Sequence, residues 1–202
     1  MKKTVVAFSG RAGAGKDLGA DTWAYLYKKE TGKKAIKFAF ANILKGIAGT
    51  ALGISPNEAE VIKRLPEVKI ANGLSLREFY NTLGDAIKSY FGNQVWAKMT
   101  INKMEQTLKK IDTDLFIITD LRYIIEQEAL RKFCIDNEMD LIVIKMINLN
   151  HTQRSDNIEH ESEYQVDDIK EDYLIKASSP EEVEEKIKEI YNATTKSGTT
   201  AT

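Results

Sequence analysis

The chain has 202 residues, of which 29 are basic and 30 acidic, for a formal net charge of −1. That length suits one domain with a sizeable core, and the balanced charge points to no nucleic-acid partner. Cys134 is the lone cysteine, which excludes a disulfide framework or a cysteine metal cluster, and no apolar run is long enough to cross a membrane.

Met1-Lys2-Lys3 runs directly into the first predicted strand, Thr4 to Ser9, so no signal peptide and a cytoplasmic location are expected. The strand ends in Ser9-Gly10-Arg11-Ala12-Gly13-Ala14-Gly15-Lys16-Asp17, and a helical pattern follows. This is a phosphate-binding P-loop with one deviation. Gly10, Gly13 and Gly15 lack side chains, so the backbone can fold around a polyphosphate and aim its N–H groups inward. The helix start near Gly15 adds unpaired amides and a positive dipole end. Lys16 places a cation on the outer phosphates. ATP is therefore the expected ligand of residues 10–17, including Arg11, Ala12 and Ala14 through their backbone. The usual Ser or Thr after the lysine is Asp17 here, whose carboxylate can bind magnesium or simply favour the helix dipole. The glycines do not fall as G-x-G-x-x-G, which argues against a dinucleotide site.

The second predicted strand is Ala35 to Phe40, and residues 41–113 then read as several helices. That stretch is too long for a simple crossover. An insertion there lies over the carboxyl ends of the strands, where α/β proteins bind ligands, and is taken as the acceptor-substrate region. Asn102-Lys103-Met104-Glu105 echoes a guanine-reading motif, but it has Glu for Asp and sits in a helical pattern.

The third predicted strand, Leu115 to Thr119, ends at Asp120-Leu121-Arg122. An acid at such a strand end in P-loop proteins helps hold magnesium or its waters; capping the next helix is its other use. Arginine binds phosphate with a planar fork, and Arg77, Arg122 and Arg154 fall in segments expected near the strand ends. Arg131, beside Lys132, reads as a surface residue.

The fourth predicted strand is Leu141 to Ile147, and the polar stretch 148–163 after it holds His151, Arg154 and His160 and reads as a lid. His160-Glu161-Ser162-Glu163-Tyr164 lacks the second histidine of a zinc motif. The fifth predicted strand is Tyr173 to Ala177. A final helix follows, with Ser179 as N-cap, Pro180 in the first turn and Glu182 completing a capping box. Residues 193–202 are expected to be a disordered tail, so that 1–192 form one domain. Leu-Phe-Ile-Ile and Leu-Ile-Val-Ile are apolar without alternation, as in a parallel sheet covered on both faces. The expected class is α/β, with helices on both sides of five strands.

These segments resemble the bacteriophage-type deoxynucleoside monophosphate kinases over most of residues 4–165. The residues that carry the resemblance are Gly10 to Asp17, with the unusual aspartate, and Phe38-Ala39-Phe40-Ala41 with Leu44-Lys45. Further on they are Leu76-Arg77-Glu78, Leu83-Gly84-Asp85, Trp96, Thr119-Asp120-Leu121-Arg122 and His160-Glu161-Ser162-Glu163. The resemblance implies a three-layer P-loop kinase fold with a parallel sheet of order 2-3-1-4-5. It also implies transfer of the γ-phosphoryl of ATP to a deoxynucleoside 5'-monophosphate, with Mg2+ as cofactor. Lys45, Arg77, Lys88, Trp96, Asp120, Arg122 and Glu163 are implied to bind the acceptor, with Lys88 standing where an arginine is common. Lys16, Arg122 and Arg154 are implied to act on the transferring group, and Asp17 and Asp120 to hold the metal. Dimers occur in that family, so a homodimer is compatible, and a phage-encoded member works in host cytoplasm. Phosphomevalonate kinases share Gly-Lys-Asp, the Asp-x-Arg segment and Glu-Ser-Glu and are the rival resemblance. A nucleotide-binding switch without an acceptor is the alternative of a different class.

Overall fold

The computed structural model of the chain describes residues 2–65, 67–150 and 165–196. The first half contains β1 (Thr4–Ser9), α1 (Lys16–Thr31), β2 (Ile36–Phe38), α2 (Ala41–Leu52), α3 (Pro56–Ile62), α4 (Leu76–Phe91) and α5 (Val95–Leu108). The second half contains β3 (Leu115–Leu121), α6 (Ile124–Asp136), β4 (Asp140–Asn148), β5 (Tyr173–Ala177) and α7 (Pro180–Lys196). Single 3-10 turns lie at Ala71–Gly73 and Val166–Asp168.

All five strands pair in parallel, in the order β2-β3-β1-β4-β5, which is the expected P-loop kinase arrangement. The two faces of the sheet bury separate cores, because successive β1 side chains point to opposite sides. Val5 and Ala7, with Phe116 and Ile118 of β3, pack against Ala97 and Met104 of α5 and Leu130 and Phe133 of α6. Val6 and Phe8, with Ile144 and Met146 of β4, pack against Ala20 and Trp23 of α1 and Ile187 and Tyr191 of α7.

β2 is shorter than predicted. It pairs with β3 only over Ile36–Phe38, and the N–H of Phe40 is taken by Asp120 rather than by a strand. β3 carries a further irregularity. Ala7 pairs with Ile118 but Ser9 with Leu121, so β1 advances two residues while β3 advances three. This bulge falls on Thr119 and Asp120, at the mouth of the site.

The helical insertion is built as expected from its length, with α2 to α5 between β2 and β3. α4 opens with a capping box, the Ser75 hydroxyl accepting the Glu78 N–H and the Glu78 carboxylate accepting the Ser75 N–H. The cap of α7 differs from the predicted one in one arm. Ser179 Oγ accepts the Glu182 N–H at 3.3 Å, but the Glu182 carboxylate reaches back to the N–H of Ser178 at 2.8 Å. α7 also runs past Asn192 to Lys196, with Thr194 and Thr195 hydroxyls bonded to the carbonyl of Tyr191. The rest of the expected tail lies outside the described residues. Among the described residues no helix is long and apolar enough to cross a membrane.

Candidate active site

The P-loop joins the central strand to α1, so both its ends are anchored in the core. Gly10, Gly13 and Gly15 all have positive φ, at 146°, 77° and 87°. Gly10 is required twice over, since a Cβ there would stand 2.4 Å from the carbonyl oxygen of Met146. Lys16 is buried and folds back over the loop, its Nζ donating to the carbonyls of Gly10 at 2.7 Å and Arg11 at 2.8 Å. The ammonium is thereby held over the glycine loop. Asp17 lies exposed in the first turn of α1.

Neighbouring strands brace the loop. Asn148, at the end of β4, donates its side-chain amide to the carbonyl of Gly13 at 3.1 Å. The Arg11 guanidinium pairs with Asp167 at 2.7 Å, and Lys145 of β4 donates to the Asp167 carbonyl at 2.8 Å. The segment after the fourth strand is thereby tied to the loop. None of these three partners carries a sequence pattern, since each contact joins residues far apart in the chain.

The second half of the site is built around Asp120. Its Oδ1 accepts the N–H of Phe40 at 2.8 Å and its Oδ2 the N–H of Ala41 at 3.0 Å. A strand-end carboxylate thus satisfies the open amides at the start of α2, the helix that carries Lys45. Burial pushes the Asp120 carboxyl up from the usual carboxylate range, against the pull of the two amides and of Arg122 and Lys45. One turn into α6, Glu126 is 6 % exposed and accepts the N–H groups of Arg122 at 2.9 Å and Tyr123 at 3.1 Å. Burial, and then the neighbouring Asp120 charge, push Glu126 up to about 8. Lys45, Asp120 and Arg122 are therefore brought together, and Glu126, which follows Asp120-Leu121-Arg122 in the segment that carries the resemblance, is a buried fourth member. Its place here is not written in a capping pattern: Glu126 stands three residues after Tyr123, as in a capping box, but tyrosine is not a capping residue type.

Other expected acceptor residues are placed differently. Lys88 of α4 lies 4.7 Å from the centroid of the Tyr123 ring, with its Nζ 3.4 Å from both the Tyr123 hydroxyl and Asp85. Burial opposes its charge, while Tyr123 and Asp85 hold its pKa above the usual lysine value. It fastens α4 to the start of α6 as a cation on an aromatic face. Arg77 is exposed in the first turn of α4, and Trp96 is buried in the first turn of α5. Arg131 is exposed, as expected. Arg154, Glu163, His151 and His160 lie outside the described residues. Among the described residues no group of three or more His, Cys, Asp or Glu side chains is arranged to hold a metal ion.

No protein-family model matches the chain, and no curated protein sequence does. Among solved structures, the Mycobacterium tuberculosis APS kinase CysC in complex with AMPPNP and APS superposes with a TM-score of 0.49 at 15% identity, covering 96% of this chain and 98% of that one. A point mutant of the same enzyme gives 0.48 at 15% identity, with the same coverage. The strand order and the glycine loop define the fold.

Proposed function

We propose that the chain is an ATP-dependent phosphotransferase that moves the γ-phosphoryl group of ATP onto the phosphate of a deoxynucleoside 5'-monophosphate, giving ADP and the diphosphate. The observation that carries this reading is the pairing of two cationic groups at one edge of the sheet. The P-loop with Lys16 follows β1, and Lys45 and Arg122 gather around Asp120 at the end of the adjacent β3. A donor phosphate and an acceptor phosphate need two such places side by side.

In this reading Lys16 and the loop amides hold the β- and γ-phosphates. Lys45, Arg122 and, from α4, Arg77 hold the acceptor phosphate, and Arg154 reaches the transferring group. A phosphate monoester with second pKa of about 6 is largely dianionic at neutral pH, so its oxygen attacks without a strong base. Catalysis then rests on alignment and charge neutralisation. A bound magnesium would supply part of that neutralisation. The exposed Asp17 carboxylate, next to Lys16, suits an ion that keeps most of its ligands as water and phosphate oxygens. Asp120 fits that role less directly, because both its oxygens already accept amides.

The test is ADP release from ATP with each acceptor added in turn. Stimulation by deoxynucleoside monophosphates supports the reading, stimulation by phosphomevalonate alone transfers it to the rival kinase, and no stimulation leaves only a nucleotide-binding switch. Lys16→Ala should lower turnover by about three orders of magnitude with the fold intact, and near-native activity in that variant would end the assignment.

A further inference from the structure

Buried polar side chains nearly always find partners, and those that do not call for an explanation. Among the described residues, Ser9 Oγ, Trp96 Nε1 and Thr100 Oγ1 are buried without one. A fourth such atom, the Tyr27 hydroxyl, lies elsewhere and faces Asp114 and Thr31. Two of the first three stand on α5 and the third at the end of β1. Ser9 ends β1 two residues beyond Ala7, on the face that α5 covers. α5 leads through residues 109–114 into the first residue of β3, so its last turn lies at the amino edge of the sheet. Its first turns, with Trp96 and Thr100, therefore lie toward the carboxyl edge, where Ala97 packs in one core with Phe40 and Leu121, the residues flanking the Asp120 contact. Trp96 and Thr100 are four residues apart, hence neighbours on one side of the helix.

We propose that Trp96 and Thr100 read the base of the acceptor nucleotide, an inference that rests on the phosphotransfer reading above. The phosphate of the acceptor is drawn to Lys45 and Arg122, so what remains for α5 is its uncharged part. The two orphaned groups are neutral, and Ala97 and Met104 beside them are apolar. An indole N–H only donates, while a hydroxyl donates or accepts. Together they fit a flat ring edge that offers an acceptor next to a second polar atom, as nucleobases do. Thr100 thereby joins the site as a specificity-determining residue.

Access runs along the seam between α2 and α5. A groove of about 610 Å³ lies there, lined by Asn42, Ile43, Gly46, Ile47 and Thr50 of α2 and by Lys103, one turn beyond Thr100. It starts beside the Ala41 amide that Asp120 holds, so a nucleotide with its phosphate at Asp120's cations has its base pointing along this seam. Because the two groups are closed from solvent in the free protein, binding includes a parting of α2 and α5.

The experiment compares the full chain with its Thr100→Val and Trp96→Phe variants. Turnover is measured for the four deoxynucleoside monophosphates, and melting temperature for each free protein. Thr100→Val removes a hydroxyl that has no partner, so its melting temperature should stay level or rise. Its preference between the best and worst acceptor should fall by about tenfold, through acceptor KM and not ATP KM. Trp96→Phe should flatten the preference too and serves where Thr100→Val fails to fold. An unchanged preference in both variants overturns the inference. So does a lowered melting temperature with an equal loss on all four acceptors, which marks the residues as structural. If the wild-type chain turns over none of the four, the phosphotransfer reading itself has failed, a result distinct from the other two.

Discussion

The carboxylate of Asp120 accepts the backbone N–H of Phe40 at 2.8 Å, across 80 residues of chain. Its second oxygen takes the next amide, so the end of β3 and the start of α2 form one unit. Removing the carboxylate with Asp120→Ala leaves both amides without partners. We expect a loss of about 3 kcal/mol in urea unfolding, because hydrogen bonds to charged groups are worth about 1.5–3 kcal/mol each. As α2 carries Lys45, the acceptor KM should rise well above its native value while the ATP KM changes little. An equal rise in both would show that Asp120 serves the nucleotide loop instead.

Glu126 gives the protein a pH dependence of definite sign. Its folded-state pKa is raised from the ordinary 4.5 to about 8, so the folded state binds the extra proton between those values. Stability is fully present below about pH 4.5 and is lost as pH rises through about 8, by at most about 5 kcal/mol. Asp120, raised in the same direction, adds to the slope. Glu126→Gln removes the titration and keeps one amide acceptor. Urea midpoints recorded from about pH 5 to pH 8 should fall more steeply for the native chain than for the variant, which keeps only the contribution of Asp120. A native profile that rises over this range would contradict the environment described for Glu126.

Two glycines should respond in opposite ways to one added methyl group. Gly10→Ala drives a Cβ to 2.4 Å from the Met146 carbonyl oxygen at a φ of 146°, and we expect a loss of about 2–4 kcal/mol together with loss of ATP binding. Gly46, inside α2, has nothing within 4 Å of the added atom, so Gly46→Ala should stabilise by about 0.5–1 kcal/mol. Thermal melts of the two variants decide both, and a neutral Gly10→Ala would mean the loop is not held against β4.

Local patterns were readable directly. The strand-loop-helix run from Thr4 to Asp17 and the apolar strands at Leu115 and Leu141 depend on near neighbours only, and they fold as the pattern implies. The order of the strands is not written in any periodicity and came from resemblance. What escaped reading depends on distant partners. A strand-end acid such as Asp120 points in sequence to a metal, an acceptor or the next helix, and nothing there shows that its carboxylate takes the amides at the start of α2, far earlier in the chain. The resemblance implies an acceptor contact for Lys88, and nothing near it in sequence shows that the Tyr123 ring lies against its charge. Nothing near Asp167 or Asn148 in sequence marks them as props for the P-loop.

The extra residue in β3 has a consequence for how this site can change. Side chains along a strand alternate with a period of two, yet Leu121, three residues after Ile118, shares its face, because the bulge absorbs the odd residue. Without Thr119 the strand would run regularly to Leu121, and the bulged stretch that presents Asp120 to the amides of α2 would be gone. Point substitutions in the helical layer alter one side chain at a time. The spacing between the P-loop and the Asp120 cluster admits no such gradual adjustment: it is counted in whole residues, and the count along β3 is one more than along β1.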